Sequence, residues 1–225
     1  MPELPKLPVD DQTRIGRMPH YQNTERADLY ALLDQALVAH VSITRDGTPM
    51  ALPVGFAREG DSLLIHGSTG SRFFREIATG TEVCVNVTLL EGIVYARSLF
   101  DSSMRYRAAV IYGQATPVPT EEKEAALLTL AEHLMPGRAQ EVRPMTKKEL
   151  AATMVLRIPL EKASVKDNSA SSADEPGDDP SIWAGVLPLT TVAGEPETSP
   201  ATNSGVPLPP SVSTLRDRLH VRSAS

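Results

Sequence analysis

Cysteine is nearly absent from this chain: Cys84 stands alone among 225 residues, so no disulfide can form within it. A single thiol in the apolar run VCVNV reads as a small buried hydrophobe and favours a reducing compartment. No apolar run approaches the roughly 20 residues that a membrane span requires, and MPELPKLPVDD lacks the charged start and long apolar stretch of a signal peptide. A cytoplasmic protein without a membrane partner is therefore expected. Cationic excess is also missing: 22 Lys and Arg against 28 Asp and Glu leave a formal charge of -6. A nucleic-acid binder needs a basic face to release counterions, and no basic stripe interleaved with aromatics occurs here. Walker loops, nucleophile elbows and zinc-type Cys/His sets are missing as well, and neither His40 nor His133 has a companion at metal-ligand spacing. No metal site is expected.

What is present divides the chain. Residues 1–20 carry four prolines and read as an N-terminal arm. From 21 to 166 apolar periodicity is sustained and defines the folded domain. Leu29, Leu32, Leu33, Ala36 and Leu37 make one face of a helix that Thr24 is placed to cap. Strand His40–Arg45 and strand Thr48–Arg58 flank Asp46-Gly47, a strong hairpin signal because both residues tolerate positive φ. Pro49 and Pro53 confine the second strand to an edge or a bulge. Further strands are expected at Leu63–Ile65, at Glu82–Arg97 with an interruption near Glu91-Gly92, at Arg105–Val118 and at Met154–Lys162. Helices are expected at Ser71–Thr79, at Glu121–Leu134, and behind the capping box Thr146–Glu149. Six strands joined mostly by tight turns predict a mainly β, antiparallel split barrel with flanking helices, not a parallel βαβ winding. From Asp167 the chain becomes rich in Ser, Asp, Pro and Gly. This predicts a flexible linker over 167–181, a docking segment at 182–189 (IWAGVLPL) that carries the only tryptophan, and a flexible tail over 190–225, with at most a helical turn at Leu215–Val221.

The stretch LLIHGSTGSRFFREI concentrates the candidate chemistry. Gly67, Ser68, Thr69, Ser71 and Arg72 surround the expected start of a helix, where free amides and the peptide dipoles attract phosphate. The competing reading is a capped helix after an ordinary turn. His66 shares a strand face with Leu64 and could simply fill the barrel wall.

Four segments in succession resemble the pyridoxamine 5′-phosphate oxidase-like, FMN-binding split-barrel superfamily: VSITRDGTPMALPVGF, LLIHGSTGSR, RYRAAVIYG and WAGVLPL. Within it, the chain is similar to flavin-nucleotide-binding proteins related to the nitroimidazole-resistance proteins, over about residues 13–189. The resemblance implies a homodimer with FMN at the interface and a small organic substrate, with NAD(P)H as a candidate electron donor. It places Met50, Leu52, Pro53 and Val54 beside the isoalloxazine, with Gly67, Ser68, Thr69, Ser71 and Arg72 around the ribityl phosphate. Phe73 stands where the family often has lysine, which throws more of the phosphate contact onto Ser71 and Arg72. Tyr106 and Arg107 would approach from the second subunit, Trp183 would cover the site, and His66 would lie near the ring as a candidate acid or base. The implied activity is an FMN-dependent oxidoreductase, with nitroreduction as one form. Alternatives are a flavin-sensing protein without turnover, or a barrel that binds a deazaflavin or haem, with His66 as axial ligand.

Overall fold

The computed structural model describes residues 4–169 and 175–221; residues 1–3, 222–225 and part of the expected linker, 170–174, lie outside the described residues. In chain order the elements are β1 (Gln22–Asn23), α1 (Arg26–Gln35), β2 (Val38–Arg45), β3 (Thr48–Glu59), β4 (Ser62–Ser68) and α2 (Arg72–Ile77). They continue with β5 (Glu82–Tyr95), β6 (Ser103–Gln114), β7 (Thr116–Pro117), α3 (Lys123–Leu134), α4 (Lys147–Ala152) and β8 (Thr153–Pro159). The last are β9 (Lys162–Asn168), β10 (Gly185–Pro188) and α5 (Pro210–Val221). The sheet order is β1-β9-β6-β5-β2-β3-β4-β8-β7, with β10 on β5, and every pairing is antiparallel. The end strands β1 and β7 do not pair with each other, so the barrel is split.

The core follows from strand alternation. Ala39, Val41 and Ile43 of β2, Val83, Val85 and Val87 of β5, and Ala109 and Ile111 of β6 point inward and are buried with Leu29, Leu32 and Leu33 of α1. Each of the Val, Ile and Leu side chains stabilises the fold by roughly 1.5–3 kcal/mol through burial. A smaller cluster on the opposite face of β3, β4 and β8 joins Ala57, Leu64 and Val155 to Ala126 and Leu130 of α3. The β2–β3 hairpin is as expected, with Asp46 and Gly47 both at positive φ. The capping box at Thr146 and Glu149 also forms, and Glu149, bonded to Arg143 and to Thr146, has its pKa lowered to about 2.

Several expectations are corrected. The stretch Met154–Lys162 is not one strand: the chain turns at Leu160, whose N–H donates to Asp61 O, and carries on as β9 in the other half of the sheet. With β1, β7, β9 and β10 the sheet has ten strands rather than six. Helix α1 starts one residue past Glu25 without a cap from Thr24; Asn23 Oδ1 accepts from Glu25 N–H instead. Cys84 is half-exposed on the outer face of β5, opposite Ser42 and Tyr112, because β5 alternates and Val83 and Val85 take the inward positions. The arm lies against the domain: Leu7 is buried in the core, its N–H bonds to Thr24 O, and the buried Arg26 reaches both Pro5 O and Asp61. The tail carries a 12-residue helix, α5, where little regular structure was expected.

Candidate functional site

Residues Thr48–Gly55 of β3 pair with β2, and only Phe56–Glu59 go on to pair with β4. The edge of β3 from Pro49 to Val54 that faces away from β2 therefore has no strand partner among the described residues. A strand with one free edge tolerates Pro49 and Pro53, whose missing N–H groups break no second ladder. Met50, Leu52 and Val54 share the inward face with Ile43, Val41 and Ala39, while Pro53 lies opposite His40 on the outer face. Leu52 is exposed even on its inward side, which marks the open mouth of the barrel there.

The loop after β4 runs beside this edge. Ser68 Oγ accepts from Gly70 N–H at 3.1 Å, and Ser71 Oγ accepts from Phe74 N–H at 3.4 Å as the cap of α2. Thr69 donates its hydroxyl to Ala152 O at 3.2 Å. A hydroxyl has one donor, so Thr69 has spent its own on the loop, while Ser68 and Ser71 retain theirs. The Arg72 side chain is exposed and has no hydrogen-bond or ion-pair partner among the described residues. The helix behind it is shorter than expected, six residues instead of nine, and its cap already engages one early amide. Anion affinity at this loop therefore rests on Arg72 and the two serine hydroxyls more than on a helix dipole.

Gly67 has a packing role that the sequence did not reveal. A Cβ there would lie 2.4 Å from the Phe74 ring, so the phenyl sits flat on the glycine backbone and fixes the loop to α2. The preceding His66 pairs across β4–β8 with Val155 and lies at the rim of the smaller apolar cluster. Its ring is open to solvent on one side, yet crowding by protein atoms on the other disfavours the charged form and lowers its pKa. Its nitrogens have no hydrogen-bond partner among the described residues, so a neutral imidazole is offered outward.

The remaining expected residues lie elsewhere in the same chain. His40 pairs with both Pro53 and Asn86, which puts the three at one level of the sheet. From Asn86, β5 continues to Tyr95, an overhang of roughly 30 Å at about 3.3 Å per residue. Tyr106 and Arg107 stand part of the way up this arm on opposite faces. Lys166 lies over the Tyr106 ring at 5.3 Å, while Arg107 is bound by Glu91 and by Gln35 Oε1 at 2.8 Å. A bulge between Leu90 and Gly92 aims Glu91 at Arg107, so this arginine already has an intrachain carboxylate partner. Trp183 sits higher still, beside Tyr95. One chain thus brings together Met50–Val54 and His66–Arg72, and holds Tyr106, Arg107 and Trp183 apart from them.

Surface concavities of about 630, 660 and 750 Å³ lie by Cys84 and Tyr112, by His20 and Asp167, and between α3 and α5; of these three the first touches the β3 edge, at Pro49. Among the described residues, no group of three or more His, Cys, Asp or Glu could hold a metal ion, and no helix is long and apolar enough to cross a membrane.

A split barrel with a free strand edge beside a loop of serine hydroxyls and an exposed arginine defines the class of this protein. The chain belongs to the pyridoxamine 5′-phosphate oxidase family, whose model matches residues 25–167. It is similar to the FAD and heme binding protein from Mycobacterium smegmatis, with 44% identity, 87% of this chain and 97% of that chain covered, and a TM-score of 0.85. It is also similar to the flavocytochrome Anf3 from Azotobacter vinelandii, with 30% identity over 93% of this chain and 98% of that one, at a TM-score of 0.86. A protein described as a 5-nitroimidazole antibiotic resistance protein from Bacteroides thetaiotaomicron shares the fold at 20% identity, covering 64% and 85% of the two chains with a TM-score of 0.55. No curated protein sequence matches the chain.

Proposed function

We propose that this protein binds a flavin nucleotide and haem, and acts as an oxidoreductase on a small organic acceptor or oxygen in the form of a homodimer. The free β3 edge beside the His66–Arg72 loop carries this reading. Unpaired backbone groups along Pro49–Val54 suit the polar rim of an isoalloxazine, and Arg72 with the Ser68 and Ser71 hydroxyls suits its phosphate, since guanidinium binds phosphate oxygens through paired N–H donors. One phosphate or a pyrophosphate meets the same donors. The names of the two similar proteins from Mycobacterium and Azotobacter favour the dinucleotide FAD over FMN, and they extend the reading to haem.

His66 is the candidate haem ligand, because its lowered pKa keeps the imidazole neutral at pH 7 and its nitrogens are uncommitted. A bound flavin supplies the hydride and single-electron chemistry. The chain's own task is to fix the ring plane along β3, neutralise the phosphate, and shield the inward side with Met50 and Val54. A second copy would bring Tyr106 and Trp183 to the mouth that one chain leaves open at Leu52. Tyr106, with Lys166 over its ring, would meet the flavin from that side, whereas Arg107 would stay with Glu91.

Absorbance of the purified protein, with mass spectrometry of the released cofactor, tests this reading. Flavin bands and a Soret band are expected. Arg72→Ala lowers flavin affinity about tenfold or more, and His66→Ala removes the Soret band while sparing the flavin. A protein that takes up neither FMN nor FAD in calorimetry overturns the proposal. If bound flavin is reduced by neither NADH nor NADPH and does not pass electrons to nitroaromatics, quinones or oxygen, a sensing role replaces the enzymatic one.

A further inference from the structure

The tip of the β5–β6 arm is built in detail yet stands outside both main hydrophobic clusters, burying Val94 locally. Its turn is held by Ser98 Oγ donating to Asp101 Oδ2 at 2.5 Å, Ser102 Oγ donating to Ser98 O at 2.8 Å, and Ala96 N–H donating to Ser102 Oγ at 3.1 Å. Against it, β10 pairs with β5 from Gly185–Tyr95 to Pro188–Gly92. Trp183 reaches the Tyr95 ring at 5.8 Å with a tilt of 54°. A methyl on Gly185 would stand 2.8 Å from Trp183 Cζ2, so one side of the indole rests on the glycine backbone. The other side is open: Trp183 is 67% exposed and Tyr95 45%.

Charged groups frame that surface. Asp179 Oδ1 accepts the Ser181 N–H at 2.9 Å, and Asp179 O accepts the Ile182 N–H at 3.0 Å, which places the carboxylate just before the indole. Arg97 follows Tyr95 by two residues, and its charge, after the Ser181 hydrogen bonds, helps to keep Asp179 ionised at lower pH than usual. An indole face and an acceptor-only carboxylate therefore share one corner, and the half-buried Arg97 lies near enough for Asp179 to feel its charge. They match the three parts of a nucleotide: a purine stacks on the indole, ribose hydroxyls donate to the carboxylate, and phosphate oxygens accept from the guanidinium.

We propose that the Tyr95–Trp183–Asp179–Arg97 corner binds an adenosine 5′-diphosphate moiety. The same moiety occurs in FAD and in nicotinamide dinucleotides. Only the first source rests on the flavin reading above, and it requires the corner to reach the flavin of a second copy, because its own loop lies roughly 30 Å down the arm. The second source makes the corner a docking point for the reductant.

Trp183 is the only tryptophan, so its emission reports the site directly. ADP is titrated into flavin-free protein and into protein reconstituted with FMN or with FAD. Saturable quenching by ADP is expected in the flavin-free and FMN-loaded forms. Loss of that response in the FAD-loaded form assigns the corner to FAD; quenching by both ADP and NADPH in all three forms assigns it to the reductant. By calorimetry, Asp179→Asn weakens ADP about tenfold, Trp183→Ala abolishes binding, and Trp183→Phe restores most of it. Asp179 is an exposed turn residue, which keeps that variant informative if Trp183→Ala fails to fold. Absence of ADP quenching in flavin-free protein, or emission that tracks protein concentration and ignores ADP, overturns the proposal, the latter by making the corner a subunit contact. Failure to take up flavin would instead sink the function proposed above and leave the ADP result standing.

Discussion

His66 and Gly67 are neighbours with separate duties, and substitutions can tell them apart. For His66 the unfolded chain protonates near the ordinary value of about 6.5, and the folded chain only at lower pH because burial disfavours its charge. Below about 6.5 the unfolded state thus binds the extra proton first, and the native state loses stability as pH falls; above it His66 contributes no pH dependence. An NMR titration of His66 should have its midpoint below 6.5, and His66→Gln should reduce the fall in melting temperature between pH 7 and 5.5. Gly67→Ala drives a methyl into the Phe74 ring and should cost about 1–3 kcal/mol in denaturant unfolding, as overpacking does. The Ser71 cap was legible in the sequence because capping is local. The Arg107–Glu91–Gln35 contact was not, since it joins residues 16 and 72 apart through a bulge whose aim no spacing rule gives.

At the scale of elements, hairpins and capping boxes are encoded by adjacent residues, and the β2–β3 turn and the start of α4 followed their signals. The β8–β9 break had no such signal: one alternating apolar run serves both strands, and only the need to cross between sheet halves divides it. The sequence marks 182–189 only as apolarity between polar flanks, and the pairing of Gly185–Pro188 with β5 was not readable from it. That seat depends on Gly92, where a Cβ would lie 2.9 Å from Val186 Cγ1 and 3.0 Å from Leu187 O. Gly92→Val should unzip β10, seen as faster proteolysis near 182–189 and altered Trp183 emission. Helix α5 escaped sequence reading because its anchor is remote: Ser211 N–H and Oγ both bond Glu141, 70 residues earlier. Those bonds, with Arg138, hold the Glu141 pKa below its ordinary value of 4.5. A carboxyl depressed on folding stabilises above its unfolded pKa and stops doing so as pH falls through the folded one. Protection of the α5 amides, measured against their intrinsic exchange rate at each pH, should fall below about pH 4.5, and in Glu141→Gln it should already be low at pH 7.

For the whole molecule, the division of the expected site between a loop and a distant arm is the informative fact. Trp183, at the top of an arm roughly 30 Å long, cannot meet the loop of its own chain, and Tyr106 stands about 13 Å up the same arm, so the site proposed above needs a second copy to supply them. Light scattering should give a mass of twice the 24.3 kDa chain, and flavin should dissociate in parallel with the subunits on dilution. A monomer that keeps its flavin would refute the shared site.

The β10 strand has one more consequence. It fills backbone positions on β5 that otherwise stand bare, and it comes from beyond residue 167, where the family-defining region ends. A protein truncated after Asn168 would keep the whole barrel and yet display a long naked ladder beside Leu99 and Phe100, which are already 96% and 89% exposed. Such an unprotected margin invites further strands. Truncation should therefore reveal itself first as turbidity and fibre-forming self-association, before any change in the melting of the barrel itself.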